Sequence, residues 1–398
     1  MTYLIVGGGM AADAAVRGIR SQDPDGRIVL LTEEAHPPYD RPPLSKGLWA
    51  GEDESRVWRG TEELGVQIET GRRVVALDRD AQQVRDDLDA EWEYDRLLLA
   101  TGSRVRRLQG PDPGVIYLRT LDDYRQLRRR LGAAGGNGRT VGLIGGGFIG
   151  CELAGVLVEG EIEVRQYFPE EAPLARVLPP EFSRLLAEYL ESLGVELHPG
   201  QGVTSTEEVE DGWHLRTDDG ALSEPVAAVA AGIGANPRTE VARDAGLPVD
   251  GGIVVDAGLR TRDPRIFAAG DVARFPSSMT GQLELVAHEE HANESGMLAG
   301  QAMTGAEVCY DPLPYFYSGI GGLTLEVLGF PSPEDQVEGA LPEAITGSGL
   351  ARFRRQGRTS GVLIWNRPGR AHRIRRLLAS REAESDPEFR ELLATALD

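Results

Sequence analysis

A short glycine-rich sequence follows the first apolar segment of the chain. Gly7, Gly9 and Ala12 form the pattern Gly-x-Gly-x-x-Ala after Thr2–Val6 and open an alanine-rich, helix-compatible stretch at residues 10–20. Glycines let backbone N–H groups approach a pyrophosphate closely, and the start of a helix adds partial positive charge. The pattern in this position predicts a site for a dinucleotide.

The same arrangement occurs a second time further along the chain. Gly145, Gly147 and Gly150 follow the apolar run Thr140–Ile144 and precede another helix-compatible stretch at residues 151–158. One copy alone could be an ordinary glycine turn, but two copies in the same strand–glycine–helix context indicate a duplicated nucleotide-binding fold. Two dinucleotide sites are therefore predicted.

Acidic residues after the following strands are placed to bind ribose. Glu33 and Glu34 come at the end of the second predicted strand, where a carboxylate can accept hydrogen bonds from ribose hydroxyls. In the second copy the corresponding position is Phe168, and Glu170 follows after a proline. Because no arginine stands at that strand end, NADH is favoured over NADPH, with Arg176 the residue that would reverse this preference.

Lysine occurs once in the chain, at Lys46, among 42 basic residues. A bias toward arginine this strong reflects genome composition and accounts for the other basic residues without any special role. A lysine ammonium is a compact point charge that can approach a ring atom or share a proton, whereas a guanidinium is planar and always charged. The exception therefore marks Lys46 as a predicted site residue.

Composition narrows the class of protein. The 398 residues carry 42 basic and 63 acidic side chains, a net charge of −21, which disfavours general binding to nucleic acids or anionic membranes. No apolar run approaches the roughly 18–20 residues of a membrane span, and no signal-peptide pattern precedes the first strand, so a cytosolic, cytoplasmic location is expected. Cys151 and Cys309 are too few for a disulfide framework or a cysteine metal site, and no metal is predicted.

Alternating strand and helix patterns supply the elements that would carry these residues. Apolar runs separated by helical segments predict an α/β fold with parallel sheets in two Rossmann-like nucleotide-binding domains. Helices are expected at residues 121–131, where Thr120 and Asp123 form an N-terminal capping signature, at 179–193 and at 283–303. An aromatic and glycine-containing segment of different character begins at residue 310.

Further motifs carry a resemblance to a known family. Residues 38–46 (PYDRPPLSK), 100–102 (ATG) and 266–271 (IFAAGD) resemble the FAD-dependent NADH:ferredoxin/rubredoxin reductases, of the pyridine nucleotide-disulfide oxidoreductase superfamily. Other segments are more similar to apoptosis-inducing factor and its bacterial homologues, namely residues 166–170, 288–292, 300–305, 325–329 and 365–366. The resemblance implies a discontinuous FAD-binding domain (1–112 and 235–308), an inserted NAD-binding domain (113–234) and a C-terminal α+β interface or dimerisation domain (309–398).

Taken position by position, the resemblance implies two sets of cofactor contacts. The implied FAD contacts are Gly7, Gly9, Ala12, Glu33, Glu34, Arg41, Lys46, Val74, Thr101, Gly102, Arg119, Gly270, Asp271 and His288. The implied nicotinamide nucleotide contacts are Gly145, Gly147, Phe148, Ile149, Glu152, Glu170, Arg176, Gly232, His288, Tyr317, Glu326 and Asn366. Asp271 would accept hydrogen bonds from the ribityl hydroxyls, and the helix that follows would direct its positive end at the flavin pyrimidine.

The resemblance also implies that Lys46 lies beside the isoalloxazine ring and pairs with Glu152, so these two are the predicted tuning and positioning groups of the catalytic site. No nucleophile is assigned, because hydride transfer needs the nicotinamide stacked on the flavin rather than an acid or base. The alternative for Glu152 is a surface position on its helix, and for Phe148 and Tyr317 it is core packing. Tyr317 stands where these proteins usually have tryptophan.

Two functions follow from the resemblance. In the first, the protein takes hydride from NADH onto FAD and forms a reduced flavin–NAD charge-transfer complex, with a homodimer that responds to redox state, as in apoptosis-inducing factor. In the alternative, it is a ferredoxin or rubredoxin reductase that passes single electrons to a small acidic redox protein or a quinone. Residues 42–45 lack the cysteine of disulfide reductases and NADH peroxidases, which argues against those activities.

A basic segment near the C-terminus contrasts with the acidic whole. Residues 351–381 hold ten arginines and no acid. The segment is either a docking surface for an acidic electron carrier or a solvated face balanced by acidic neighbours. Its arginines are Arg352, Arg354, Arg355, Arg358, Arg367, Arg370, Arg373, Arg375, Arg376 and Arg381.

Overall fold

The structure is a computed structural model that describes residues 1–133, 140–339, 345–367, 369 and 371–379. These residues form seven α-helices and twenty-five strands, with a few single turns of 3-10 helix. The helices are α1 (Met10–Gln22), α2 (Leu121–Ala133), α3 (Phe148–Glu159), α4 (Pro180–Ser192), α5 (Glu240–Asp244), α6 (Glu289–Met303) and α7 (Ala371–Ala379).

The strands are numbered in chain order. They are β1 (Thr2–Val6), β2 (Arg27–Leu31), β3 (Gln67–Glu69), β4 (Val74–Asp78), β5 (Gln83–Asp86), β6 (Glu91–Glu93), β7 (Arg96–Leu99), β8 (Ser103–Val105), β9 (Val115–Tyr117), β10 (Thr140–Ile144), β11 (Glu163–Phe168), β12 (Val195–Pro199), β13 (Val203–Val209), β14 (Gly212–Thr217), β15 (Ala228–Ala231), β16 (Ala235–Pro237), β17 (Ile253–Val254), β18 (Ile266–Ala268), β19 (Ala273–Pro276), β20 (Leu283–Leu285), β21 (Tyr315–Ile320), β22 (Leu323–Gly329), β23 (Gln336–Glu338), β24 (Gly349–Arg355) and β25 (Arg358–Trp365).

The chain separates into two compact units, and the first comprises residues 1–41, 55–104 and 236–314. Its main sheet is parallel, in the order β18-β7-β1-β2-β3. The central strands are apolar along their length because both faces of a parallel sheet are covered. Helices α1 and α6 pack so closely that a Cβ at Gly296 would overlap the backbone of Ala11, which explains the small residues along this contact.

The second unit comprises residues 42–54, 105–235 and 315–398. It contains a second parallel sheet, in the order β12-β11-β10-β15-β9, with α3 following β10 as α1 follows β1. It also contains an antiparallel sheet, in the order β21-β22-β25-β24-β23. The predicted α/β fold with two Rossmann-like sheets and a C-terminal α+β region is confirmed.

The structure confirms the predicted cap of one helix and shows that the predicted start of another is wrong. The capping signature before α2 is present, because the Asp123 N–H donates to Thr120 Oγ1 (3.2 Å) and the Thr120 N–H donates to Asp123 Oδ2 (2.7 Å). The single helix expected over 283–303 is wrong in its first part. Leu283–Leu285 instead pairs antiparallel with Ala273–Pro276, and the helix begins after His288.

The domain limits drawn from the sequence remain a prediction. The two units nevertheless divide the chain close to those limits, at residues 105, 236 and 315. Two features differ from them. Most of the predicted NAD-binding and C-terminal domains fall together in the second unit, and residues 42–54, which carry Lys46, belong to the second unit rather than to the first. The long separation of this segment from α3 in sequence explains why composition alone could not assign it.

Candidate functional site

The first glycine loop leaves an open candidate anion site at the start of α1. Gly7 has φ +126°, and a Cβ there would overlap the carbonyl oxygen of Ala100, so only glycine fits. Gly9 precedes the first residue of α1 and accepts the Ala12 N–H through its carbonyl (3.0 Å). A Cβ at Gly9 would meet only the Arg41 guanidinium, at 3.9 Å. Free space, a helix N-terminus and a cation together fit a pyrophosphate.

The residues predicted around this loop do converge on it. Arg41 forms an ion pair with Glu34, and the Tyr39 hydroxyl donates to the other Glu34 oxygen (2.5 Å). Burial opposes the charge of Arg41, but the nearby Glu34 carboxylate, helped by Tyr39 and Asp271, leaves the pKa of Arg41 raised. Asp271 therefore lies near the same guanidinium.

Several residues of the first unit contact Arg238, which the sequence did not identify as a site residue. Its guanidinium forms an ion pair with Glu33, while its backbone carbonyl accepts from Thr101 Oγ1 (2.7 Å) and its N–H donates to the Gly102 carbonyl (2.9 Å). The predicted Val74 lies buried at the start of β4 in the same unit. The structure thus brings Glu33 and the Thr101–Gly102 turn to one arginine.

The second glycine loop, in the second unit, repeats the open arrangement. Gly147 precedes α3, and a Cβ there would meet nothing closer than the Gly232 carbonyl oxygen at 3.9 Å. Ile149 in the first turn of α3 is 40% exposed. This loop also fits a pyrophosphate at a helix N-terminus.

The ribose end of the second loop differs from the first. Phe168, at the strand end, is buried and packs against Gly146 of the loop. Its side chain has no polar group that could bind a ribose hydroxyl. Glu170 forms an ion pair with Arg176. The arginine that could have favoured NADPH is therefore held by the acid that favours NADH.

Lys46 and Glu152 form the pair that was predicted. Lys46 Nζ lies 2.8 Å from Glu152 Oε2, and Glu152 is only 2% exposed, which excludes the alternative of a surface helix position. Two serines complete the arrangement: Ser45 Oγ donates to Glu152 Oε2 and Ser318 Oγ donates to Oε1, each at 2.6 Å. These three donors come from segments of the second unit outside α3, so the tertiary fold brings them to the carboxylate.

The aromatic residues around this pair are divided between packing and exposure. Phe148 packs edge-on against Phe316, with ring centroids 4.9 Å apart. Tyr317 is 48% exposed, and Lys46 Nζ lies 5.8 Å from the centroid of its ring. The core-packing alternative therefore suits Phe148 better than Tyr317, whose face is accessible and adjacent to a cation.

Three other predicted contact residues form hydrogen bonds within the second unit. Glu326 is 9% exposed and accepts from the Tyr315 hydroxyl at 2.7 Å. The amide of Asn366 bonds backbone groups, accepting from the Thr324 N–H (3.0 Å) and donating to the Gly347 carbonyl (2.9 Å). The Arg119 N–H donates to Asp123 at the start of α2. Asn366 is thus engaged in holding a turn, a use that its position in the sequence did not reveal.

Two histidines lie at the start of α6, and only the first was predicted. His288 is the N-terminal cap residue of α6, and it lies close enough to Asp271 for that carboxylate to act on its pKa. His291, one turn along, is 4% exposed and contacts the Gly270 carbonyl through Nε2 (3.1 Å) and the Tyr310 hydroxyl through Nδ1 (2.5 Å). Its place in the segment at residues 288–292 was the signal that could have drawn attention to it.

Acid is expected to weaken the fold through these histidines. Burial lowers the pKa of both His288 and His291 from 6.5 to about 4, although Asp271 and, for His291, the Gly270 carbonyl act in the opposite direction. In the unfolded chain the same groups take up protons near 6.5, so the unfolded state binds more protons between these values. The free energy of unfolding should therefore fall as pH falls from about 6.5 toward 4, by up to about 3 kcal/mol for His291.

Denaturant unfolding of the FAD-saturated protein across this pH range measures the effect. The variant His291→Gln, which cannot titrate, should show a shallower loss of stability with acid, and substitution of the partly exposed His36 by glutamine serves as the matched control. Equal slopes for the wild type and His291→Gln would contradict the assignment.

Several arginines of the basic segment at residues 351–381 have acidic partners within the second unit. Arg352 and Arg354 both bond Glu338, and Arg355 bonds Asp335 at 2.8 Å, so each of these three arginines has an acidic partner and two of them share one carboxylate. This agrees with the solvated-face alternative for that part; Arg370, Arg381 and the side chain of Arg376 lie outside the described residues.

Cys151 is fully buried, and burial raises the pKa of its thiol to about 12, as expected for a packing residue rather than a reactive thiol. Within the described ranges, no helix is long and apolar enough to cross a membrane, and no group of three potential metal ligands occurs.

Residues 1–296 match the family model for pyridine nucleotide-disulphide oxidoreductases, and the chain belongs to this family. Its class is that of an FAD-dependent NADH oxidoreductase, with FAD and NADH as cofactors, as the sequence predicted. The chain is 36% identical to the anthranilate 1,2-dioxygenase system ferredoxin–NAD(+) reductase component of Burkholderia cepacia, over 82% of this chain and 81% of that protein.

Solved structures agree with this class. A ferredoxin reductase from Rhodopseudomonas palustris is 31% identical, with 99% of each chain covered and a TM-score of 0.88. The covalent complex of putidaredoxin reductase with putidaredoxin gives 28% identity, 99% and 98% coverage and a TM-score of 0.89. These likenesses support the predicted reductase family, and the closer similarity to apoptosis-inducing factor remains a prediction.

Proposed function

We propose that the protein is a reductase that takes electrons from NADH and passes them singly to a small ferredoxin-type redox protein. The observation that carries this proposal is that residues 42–45 contain no cysteine for dithiol chemistry, and that Ser45 in this segment donates to Glu152 (2.6 Å). Cys151 is buried with its thiol pKa raised to about 12, and the chain's other cysteine, the exposed Cys309, is a free thiol not bonded to a second cysteine, so the chain offers no cysteine pair for dithiol chemistry. The names of the relatives support an external electron carrier as acceptor.

The chain's residues would divide the work as follows. Gly9, the N-terminus of α1 and Arg41 would bind the FAD pyrophosphate, and Asp271 would orient the ribityl chain. Gly147 and the N-terminus of α3 would bind the NADH pyrophosphate. When bound, FAD supplies a ring that accepts a hydride and releases electrons one at a time.

Lys46 would act as a fixed cation toward the flavin ring. Its ammonium is held by Glu152, whose two oxygens are held in turn by Ser45 and Ser318. A fixed point charge stabilises negative charge that develops nearby without any reorganisation at the moment of transfer. In this proposal Lys46 and Glu152 tune and position, and neither exchanges a proton.

The domain roles and the assembly belong to the same proposal. Residues 1–112 and 235–308 would bind FAD, residues 113–234 would bind NADH, and residues 309–398 would form the interface. A homodimer and a cytoplasmic location stay predictions from the sequence.

The function is tested with the FAD-loaded protein, NADH and a 2Fe–2S ferredoxin, with cytochrome c as final oxidant. The ferredoxin should accelerate NADH oxidation at least about tenfold over the rate with oxygen alone, as expected for a productive protein–protein encounter. No acceleration by a panel of ferredoxins, a rubredoxin or a quinone would reject the proposal. The sign of the salt dependence then tests the arginine segment, because a rate that falls with salt supports docking through it.

The charge-transfer hypothesis is tested in the same preparation. Anaerobic NADH titration followed by admission of air should give rapid reoxidation without a lasting long-wavelength band if the protein is a turnover reductase. A band that persists in air, together with a larger species on sizing, would favour the function seen in apoptosis-inducing factor. The half-exposed Tyr317, a smaller stacking surface than tryptophan, favours the first result.

A further inference from the structure

Gly270 has both polar groups of its backbone bonded to side chains of α6. Its N–H donates to Ser295 Oγ at 2.9 Å, and its carbonyl accepts from His291 Nε2 at 3.1 Å. The two side chains are one helical turn apart, and Ser295 Oγ also donates to the His291 carbonyl at 2.6 Å. Gly270 has φ +72°, a left-handed conformation that other residues adopt at a cost, and its carbonyl also accepts the Ala273 N–H within the turn, so the two side chains of α6 add to the bonds that fix its shape.

The tautomer of His291 follows from its two partners. A backbone carbonyl can only accept, so Nε2 carries the proton and Nδ1 is the acceptor for the Tyr310 hydroxyl at 2.5 Å. Phe275 stacks on the imidazole with ring centroids 5.2 Å apart and an interplanar angle of 25°. His291 and Tyr310 are 4% and 1% exposed, so water does not compete for either bond.

The same helix is anchored on the first glycine loop's helix. Gly296 and Gly300 of α6 lie directly against the backbone of Ala11 and Ala15 in α1. A side chain on α6 that holds Gly270 therefore ties the Gly270–Asp271 turn to the helix whose N-terminus forms the open anion site. Movement of the turn would require breaking two buried hydrogen bonds.

We propose that His291, with its tautomer set by Tyr310, is a positioning residue that holds Asp271 in the orientation required to bind FAD. The inference rests on the proposed role of Asp271 as an FAD ligand. His291 takes up no proton in this role; its neutral Nε2–H fixes the carbonyl that precedes Asp271. The imidazole thus acts on the cofactor through the turn and does not itself need to touch it.

The test measures the FAD dissociation constant from flavin fluorescence on dilution of the FAD-loaded protein. His291→Leu, which has no donor for the Gly270 carbonyl, should weaken FAD binding about tenfold, whereas His291→Gln keeps an N–H and should stay within about threefold of wild type. Tyr310→Phe, which frees the tautomer, should weaken FAD binding about threefold to tenfold. The KM for NADH should not change in any of the three.

Two controls separate the possible failures. Tyr3→Phe removes another buried hydroxyl of the first unit, the donor to Asp23 at 2.9 Å, and should lower stability without changing FAD affinity. Asp271→Ala tests the FAD contact that the proposed function assigns to Asp271, and FAD affinity unchanged in that variant would overturn this contact and, with it, the positioning role of His291. Loss of FAD in Asp271→Ala with wild-type affinity in His291→Leu would overturn only the positioning role. If His291→Leu does not fold, the comparison of Tyr310→Phe with Tyr3→Phe decides.

Discussion

Replacing Lys46 with alanine is expected to slow NADH-driven electron transfer at least about tenfold and to lower the free energy of unfolding by about 3 kcal/mol. The cause is Glu152, which is buried and keeps its charge balanced through Lys46 Nζ at 2.8 Å. Removing the ammonium leaves a buried carboxylate whose hydrogen-bond donors, among the described residues, are the hydroxyls of Ser45 and Ser318. Stopped-flow reduction of the flavin by NADH and denaturant unfolding measure the two effects.

A double variant separates charge tuning from stability. Lys46→Met with Glu152→Gln removes both charges, so it should recover most of the stability while electron transfer stays slow. Arg216→Ala breaks an ion pair with Glu207 in which both side chains are well exposed (38% and 45%), and it should change stability by less than about 1 kcal/mol. If NADH reduced the flavin of Lys46→Ala at the wild-type rate, this result would contradict the proposed role of Lys46 as a fixed cation toward the flavin.

The substitution Gly147→Ala is expected to raise the KM for NADH at least about tenfold while the fold is retained. A methyl group at this position would meet no protein atom closer than 3.9 Å, and the backbone, with φ −80° and ψ −178°, suits any residue. The added group would instead occupy the space in which the proposed pyrophosphate approaches the start of α3. The cost in stability should be limited to about 1 kcal/mol, the difference between glycine and alanine at a helix cap.

The equivalent change in the first loop is the matched control. Gly9→Ala also meets nothing closer than 3.9 Å, and it should weaken FAD retention without raising the KM for NADH in FAD-saturated protein. The helical and exposed Gly132→Ala should leave both cofactors unaffected. If Gly147→Ala and Gly9→Ala weakened binding of the same cofactor, the assignment of one nucleotide to each loop would be wrong.

The α/β class and the two nucleotide loops were determined by the sequence itself. They rest on short-range rules: apolar strands, glycines at fixed spacing and helix N-termini act within about thirty residues, and the same pattern appears twice. The single lysine was also visible, because its residue type is the signal. Its pairing with Glu152 came from the family resemblance, and the structure agrees at 2.8 Å.

The partners that hold those residues were decided only by the tertiary structure. Ser318 reaches Glu152 across 166 positions of sequence, and His291 reaches Gly270 from a different element. Glu338 pairs with two arginines of the segment that composition presents as a free basic patch. Leu283–Leu285 likewise forms a strand rather than a helix because it pairs with Ala273–Pro276 through backbone hydrogen bonds. Hydrogen bonds and charge balance depend on which distant groups meet, and no local pattern of residue types contains that information.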